Sequence, residues 1–121
     1  MKLENLKQIM KKYGKAWENQ DTDLILDCFE KKGIYQESPH SKPYKGYKEI
    51  KRFWKKEVCQ NSKNIKFKLK KCYLSKDKNI GFAEWECKNK YKGRQNHMVG
   101  IMIIKMKNNK ITCLNEYWNT K

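Results

Sequence analysis

The sequence predicts an α+β fold in which three N-terminal helices pack on one face of a strongly curved, mostly antiparallel sheet. Apolar residues recur at helical spacing in the first half of the chain and at a spacing of two from residue 64 onward. Short turn sequences separate the later apolar stretches. Helices followed by strands are typical of an α+β domain, and 121 residues suit one domain covering 1–121.

Three stretches in the N-terminal half predict the helices. Residues 3–19 carry an apolar stripe at helical spacing. Its members are Leu6, Ile9, Met10, Tyr13 and Trp17. Asp21 can cap a short second helix, DLILDCF, and the chain then turns into a short strand at Ile34. After a proline-rich turn, residues 47–58 predict a third helix with its own apolar stripe of Ile50, Phe53, Trp54 and Val58.

Four long strands are predicted after residue 64. Their sequences are NIKFKLKKCYL, IGFAEWECKNKY, NHMVGIMIIKMK and KITCLNEYW. The connections KGR and KNN are short enough for hairpins. In the third of these strands, both alternating faces are apolar, because Val99, Ile101 and Ile103 oppose an equally apolar inner set. One face can pack under the helices, and we expect a second copy of the chain to cover the other, making a homodimer.

The net charge of +16 comes almost entirely from lysine, since only Arg52 and Arg94 are arginines. Arginine is the residue that nucleic-acid readers favour for paired contacts to guanine and phosphate. The lysines are spread along the chain and alternate with apolar residues in NIKFKLKKC. This pattern favours a solvated surface over a nucleic-acid interface.

The five cysteines include no C-x-x-C pair, and the two histidines stand apart from any cysteine pair. We therefore expect reduced thiols, no metal site and no cofactor. The N-terminus has no apolar stretch of the kind found in signal peptides, and no segment is long and apolar enough to cross a membrane. These features predict a cytoplasmic protein.

Four segments carry a resemblance to a known family: YGKAWENQDTDLILDCF, IYQESP, YKGYKEIKRFW and EYW. In this order they resemble the nuclear transport factor 2-like superfamily and, within it, the SnoaL-like proteins, over essentially the whole chain. The resemblance implies a cone-shaped α+β barrel in which three helices close over a bent sheet and leave a pocket with a hydrophobic lining. It also implies dimers formed through the outer face of the sheet.

The resemblance also implies candidate catalytic residues. Ketosteroid isomerase, a member of the superfamily, can be laid against residues 29–46 without a gap. Its general-base aspartate then falls on Glu37 and its oxyanion-hole tyrosine on Tyr13. Its second oxyanion donor, a protonated aspartate, falls near Met102, which is not an acid. Neither the Asp-Arg-Asp arrangement of the epoxide hydrolases nor the catalytic histidine of the dehydratases has a match.

The surroundings of Glu37 suggest how it would act. A carboxylate enclosed by aromatic side chains is poorly solvated, which raises its pKa toward that of a useful base. Glu116 shares a strand face with Trp118, so the two carboxylates can share the pocket as an acid and a base. The alternative is that Glu37 is a turn residue and Glu116 pairs with a lysine.

The predicted ligand-binding residues are the apolar and aromatic side chains on the inner faces. They are Trp17, Tyr35, Phe53, Trp54, Trp85, Met102, Leu114 and Trp118. If the tryptophans fill the core completely, no pocket is left, and the protein is a dimerisation or interaction module. Otherwise we expect a protein that binds a small, mostly apolar molecule, with or without proton-transfer chemistry such as isomerisation, cyclisation or dehydration. A nucleic-acid-associated protein is the third alternative, because of the charge.

Overall fold

The computed structural model describes residues 1–121 and confirms the predicted α+β class with three helices before the long strands. The helices are α1 (Leu3–Glu18), α2 (Thr22–Cys28) and α3 (Gly46–Phe53), and a π-helical segment, Trp54–Gln60, follows α3 directly. The strands are β1 (Phe29–Gln36), β2 (Tyr44–Lys45), β3 (Ser62–Leu74), β4 (Gly81–Tyr91), β5 (Arg94–Lys107) and β6 (Lys110–Thr120). None of the helices combines the length and the apolar character needed to cross a membrane.

The six strands form one sheet in the order β2-β1-β6-β5-β4-β3. All neighbours are antiparallel except β1 and β6, which are parallel. The register of β3 against β4 shifts between Lys63 and Lys66 and again between Leu69 and Lys71. Such irregularities bend a strand, so the sheet curls around the helices without closing into a complete barrel.

The core lies between the helices and the concave face of the sheet. Helix α1 buries Leu6, Met10 and Tyr13 and packs chiefly on β3. At the contact, a Cβ added to Gly14 would lie only 2.8 Å from Cδ1 of Phe67, so the helix backbone sits almost directly on the aromatic ring. Burial of such apolar surface contributes about 25 cal/mol per Å² to folding.

Both predicted hairpins are present, and both use the left-handed backbone that tight turns require. Lys92 and Gly93 join β4 to β5 with φ values of 50° and 81°, and Asn108 and Asn109 join β5 to β6 with φ values of 54° and 60°. Positive φ at both central residues is the signature of a type I′ turn, whose twist matches that of the flanking strands. Glycine and asparagine tolerate this conformation best, which explains their place in KGR and KNN.

Two elements differ from their predicted extent. The strand expected at Ile34 begins at Phe29. Two exposed lysines and a shift of register against β6 interrupt the alternation of buried and exposed residues in its first half. The third helix is α-helical only to Phe53 and continues as the π-helical segment to Gln60, two residues past its predicted end. The side-chain amide of Gln20 donates to the carbonyl oxygens of Val58 at 2.8 Å and Ser62 at 2.7 Å. These hydrogen bonds provide partners for carbonyl groups near the C-terminal end of the π-helical segment.

The predicted faces of the third long strand, β5, are confirmed. Met98, Met102 and Ile104 are buried on the inner face, whereas the outer-face residues of this strand are only partly buried. Gly100 separates these inner side chains and pairs with Trp118 of β6. A Cβ at Gly100 would clash with the carbonyl oxygen of Tyr117 and lie 2.7 Å from Cβ of Trp118.

We expect Gly100→Ala to destabilise the fold by about 1–3 kcal/mol, because the added methyl group must push apart two backbones that cannot yield cheaply. Urea denaturation followed by circular dichroism measures the change. The control is Gln95→Ala on the same strand, where the side chain is exposed and the cost should stay within about 0.5 kcal/mol. Equal stability of Gly100→Ala and the parent protein would show that the β5–β6 contact is not tight.

Candidate functional site

A cavity lies between the helices and the inner face of the sheet, and it has two adjoining parts. The inner chamber has a volume of about 40 Å³, and the mouth has a volume of about 390 Å³. Five residues line both parts: Trp17, Glu37, Phe53, Met98 and Trp118. The mouth falls within the size range of small-molecule sites, whereas the inner chamber holds only a few water molecules or one small group.

The inner chamber is almost entirely aromatic and aliphatic. Its ten lining residues are Trp17, Tyr35, Glu37, Phe53, Phe67, Trp85, Cys87, Met98, Glu116 and Trp118. Phe67 and Trp85 stack with their ring centroids 5.7 Å apart and an interplanar angle of 10°. Glu37 and Glu116 supply the two carboxyl groups of this lining.

A hydrogen-bonded cluster of Tyr13, Tyr35 and Glu116 closes the inner end of the chamber. Tyr13 from α1 donates its hydroxyl to Oε1 of Glu116 on β6, and Tyr35 from β1 donates to the same oxygen at 3.1 Å. The two hydroxyl oxygens lie 3.5 Å apart. All three residues are at most 4% exposed. Three elements that are distant in sequence therefore meet at one carboxyl oxygen.

Burial dominates the protonation of this cluster. It raises the pKa of Glu116 to about 8, although the hydroxyls of Tyr13 and Tyr35 act in the opposite direction and the charge of Glu37 adds to the rise. Burial and the neighbouring carboxylate also raise the pKa of both tyrosines well above their ordinary value. At neutral pH the cluster therefore holds a neutral carboxyl group, which can donate a proton as well as accept a hydrogen bond.

Glu37 directly follows β1 and lines both parts of the cavity. The indole N–H of Trp118 donates to the backbone oxygen of Glu37 at 2.6 Å, and this hydrogen bond connects the turn after β1 to β6. Burial raises the pKa of the Glu37 carboxyl, and the nearby charge of Glu57 raises it further. The hydroxyl of Tyr13 is directed to Glu116 and makes no hydrogen bond with Glu37.

Glu57 was not predicted as a site residue. It lies in the π-helical segment, lines the mouth, and accepts hydrogen bonds from the hydroxyl of Tyr91 and, at 3.3 Å, from the amide of Asn61. In the sequence it stands in KRFWKKEVC, where it resembles the lysines around it as a solvated residue. Its position four residues after Phe53 was the available signal, because residues four apart share a helix face.

The remaining predicted ligand-binding residues divide into two groups. Trp17, Tyr35, Phe53, Trp85 and Trp118 line the cavity. Trp54, Met102 and Leu114 are fully buried and lie outside the cavity lining. Trp54 packs edge-on against Tyr13 and Trp17, with centroid distances of 6.2 and 4.9 Å, so it supports the wall from behind. We therefore omit these three residues from the candidate site.

Met102, the position without the acid that the isomerase resemblance requires, pairs directly with Glu116 across the β5–β6 ladder. Side chains of directly opposed residues project from the same face of a sheet. A carboxyl group is thus present one strand away from the expected position. Sequence alignment alone misses this, because it compares positions along the chain and not across strands.

The comparisons with known proteins agree with this architecture. The family profile of the SnoaL-like domain matches residues 10–114. No curated protein sequence gives a significant match.

Three solved structures illustrate the likeness of fold. A candidate isomerase from Bacillus subtilis has 20% sequence identity and a TM-score of 0.85, covering 98% of this chain and 90% of the other. The RV0760c protein of Mycobacterium tuberculosis has 11% identity and a TM-score of 0.84, covering 98% and 94%. A computationally designed 17-OHP binder has 12% identity and a TM-score of 0.78, covering 92% and 90%. At these identities the likeness establishes the fold alone. The match to the family profile spans most of the chain, and the protein therefore belongs to the SnoaL-like domain family.

Proposed function

We propose that the protein binds a small, mostly apolar molecule in the cavity and transfers protons to and from it, with Glu116 as the acid and Glu37 as the base. The observation that carries the proposal is the buried Glu116 carboxyl group, held by two tyrosine hydroxyls at the end of an aromatic chamber. Two carboxyl groups in different surroundings are a common basis for paired acid and base roles. The proposal fits the family, and one structural neighbour is described as a candidate isomerase.

The acid role depends on how Glu116 is held. Both tyrosine hydroxyls donate to Oε1, which leaves Oε2 to carry the proton and to donate it toward a carbonyl or hydroxyl oxygen of a bound molecule. In a chamber without bulk water, such a donor stabilises developing negative charge more strongly than water does. Tyr13 and Tyr35 act as positioning residues, because they orient the carboxyl group before the ligand arrives.

The base role falls to Glu37 because it lies at the junction of the two parts of the cavity. A ligand carbonyl at Glu116 places the neighbouring carbon toward the mouth, where Glu37 can remove its proton and form an enol. Return of the proton to another carbon completes an isomerisation, and loss of a hydroxyl group as water completes a dehydration. The isomerisation moves only protons, whereas the dehydration also breaks a C–O bond, and the departing oxygen takes up a proton from a carboxyl group to leave as water. Neither reaction needs an oxidant or reductant.

Glu37→Gln tests the base role, because it keeps the side-chain shape and removes the basicity. Cyclohexanone serves as the probe, and NMR in D₂O follows the exchange of its α-hydrogens for deuterium. We expect the wild-type protein to accelerate this exchange and the variant to lose about 10²- to 10⁴-fold of the acceleration. Glu4→Gln, at an exposed position on α1, is the matched control and should behave like the wild type. Equal exchange by Glu37→Gln and the wild type would contradict the assignment.

The protonation of Glu116 predicts a pH dependence of stability. The folded carboxyl group keeps its proton up to a pH of about 8, whereas the unfolded group loses it near the ordinary value of 4.5. Between these values the folded state binds more protons, so the free energy of unfolding should fall as pH rises, by at most about 1.4 kcal/mol per pH unit. Glu116→Gln stays neutral throughout and should flatten this dependence in urea titrations between pH 5 and pH 8. A variant with the wild-type slope would show that Glu116 is ionised in the folded protein.

The homodimer belongs to the proposal as well. Val99, Ile101 and Ile103 remain partly exposed on the outer face of the sheet, and the exposed Tyr117 lies directly opposite Ile101. A partner covering this patch would remove apolar surface from water. A cytoplasmic location stays a prediction.

Ile101→Lys should convert the dimer into monomers, because the charge would be buried at the interface without a partner. Sedimentation velocity at micromolar concentration measures the change. Leu3→Lys places the same charge on an exposed leucine of α1 and should leave the dimer intact. A wild-type protein that sediments as a monomer would remove the dimer from the proposal.

A further inference from the structure

The mouth of the cavity has the opposite charge character from the rest of the molecule. Lysine and arginine make up 29 of the 121 residues, yet neither occurs among the 12 residues that line the mouth. Glu37 and Glu57 are both there, and the remaining polar lining consists of serine, asparagine, threonine and tyrosine. A strongly basic chain therefore presents two carboxylates, and no cationic side chain, at the entrance to its cavity.

These two carboxylates have no cationic partner. The salt bridges of the protein lie elsewhere, between Asp27 and two lysines and between Glu86 and His97. Glu57 accepts hydrogen bonds from Tyr91 and Asn61, which fix its orientation without neutralising its charge. The negative charge of Glu57 raises the pKa of Glu37, because it disfavours a second negative charge nearby. A positive charge between them would relieve this repulsion.

Aromatic residues line the same space. Trp17, Phe53 and Trp118 line the mouth together with Tyr91. Aromatic rings attract cations through the negative potential over their faces, and quaternary ammonium groups are typically recognised by aromatic side chains grouped in this way. Carboxylates and aromatic rings favour the same kind of group, a compact organic cation.

The inner chamber adds a requirement for the other end of the ligand. The indole N–H group of Trp85 is buried and has no hydrogen-bond partner, and this residue lines the chamber. Trp85 is only 3% exposed. A buried donor without a partner is destabilising, and an oxygen atom of a bound molecule would satisfy it. The inner end of the ligand should therefore carry a neutral hydrogen-bond acceptor.

We propose that the cavity takes a small organic amine whose ammonium group lies between Glu37 and Glu57 and whose neutral oxygen-bearing end enters the inner chamber. This inference rests on the proposed function, because it names the ligand class of the same cavity. A neutral ligand would leave the charge of Glu57 without a partner. An anionic ligand is disfavoured by both carboxylates.

The test compares two probes of nearly equal shape, choline and 3,3-dimethylbutan-1-ol, in which carbon replaces the charged nitrogen. Isothermal titration calorimetry on the wild-type protein measures both affinities, so no variant needs to fold for this comparison. We expect choline to bind about tenfold more tightly or better. Equal affinity for the two probes, or no binding of choline, overturns the inference.

Glu57→Gln identifies the source of the preference. Glutamine keeps an acceptor for Tyr91 and removes the charge, so choline should bind several-fold more weakly while the neutral alcohol binds unchanged. Glu4→Gln, at an exposed position on α1, should change neither affinity. Unchanged choline binding by Glu57→Gln would also overturn the inference.

The two proposals can fail separately. Glu37-dependent deuterium exchange in cyclohexanone without a preference for choline would leave the proton transfer standing and remove the amine. A clear preference for choline without any exchange would leave the amine standing and remove the proton transfer.

Discussion

The burial of Glu116 against two tyrosine hydroxyls is the interaction on which the cavity depends. Tyr13, Tyr35 and Glu116 come from α1, β1 and β6, so the cluster sets how the first helix lies across the parallel pair of strands. Removing a carboxyl group from water is costly unless it is protonated or hydrogen-bonded. Here both conditions are met, since Glu116 accepts hydrogen bonds from two hydroxyls and burial raises its pKa to about 8. The same neutral state that makes burial tolerable makes the group a donor.

Aromatic packing then determines how much space remains. Phe67 stacks on Trp85, and Trp54 packs edge-on behind Trp17, so the inner part of the concave face is nearly filled. The space widens toward the end of β1, where the polar residues of the mouth replace the rings. A small inner chamber selects what can approach Glu116, whereas the wider mouth accommodates the rest of a ligand.

Most of the fold could be predicted because buried and exposed residues alternate along most of the length of the long strands. In β4 the buried set from Gly81 to Asn89 alternates with charged or partly exposed residues, and the same pattern on β6 placed Glu116 on the inner face beside Trp118. The start of β1 escaped prediction because a register shift interrupts its alternation. Periodicity reports which face a residue occupies, and irregular backbone removes that signal.

The candidate site was harder to predict, for a different physical reason. An inward-facing residue can line a cavity or fill the core, and spacing along the chain does not distinguish the two. Trp54 and Trp17 share a helical pattern with the core, yet only Trp17 reaches the cavity. Glu57 has the surroundings of a solvated residue in the sequence, and its position becomes visible only when the π-helical segment is placed against Tyr91.

The parallel pairing of β1 with β6 has a consequence for the order of folding. Tyr13 and Glu116 are separated by 103 positions in the chain, and Tyr35 and Glu116 by 81. Closing loops of this length costs conformational entropy before any contact compensates for it, and proteins rich in such contacts fold comparatively slowly. The acid cluster therefore cannot assemble from a folded N-terminal half. Ligand-binding ability should appear together with the completed sheet, and an intermediate in which β6 has not yet docked beside β1 would have helices and hairpins but no chamber.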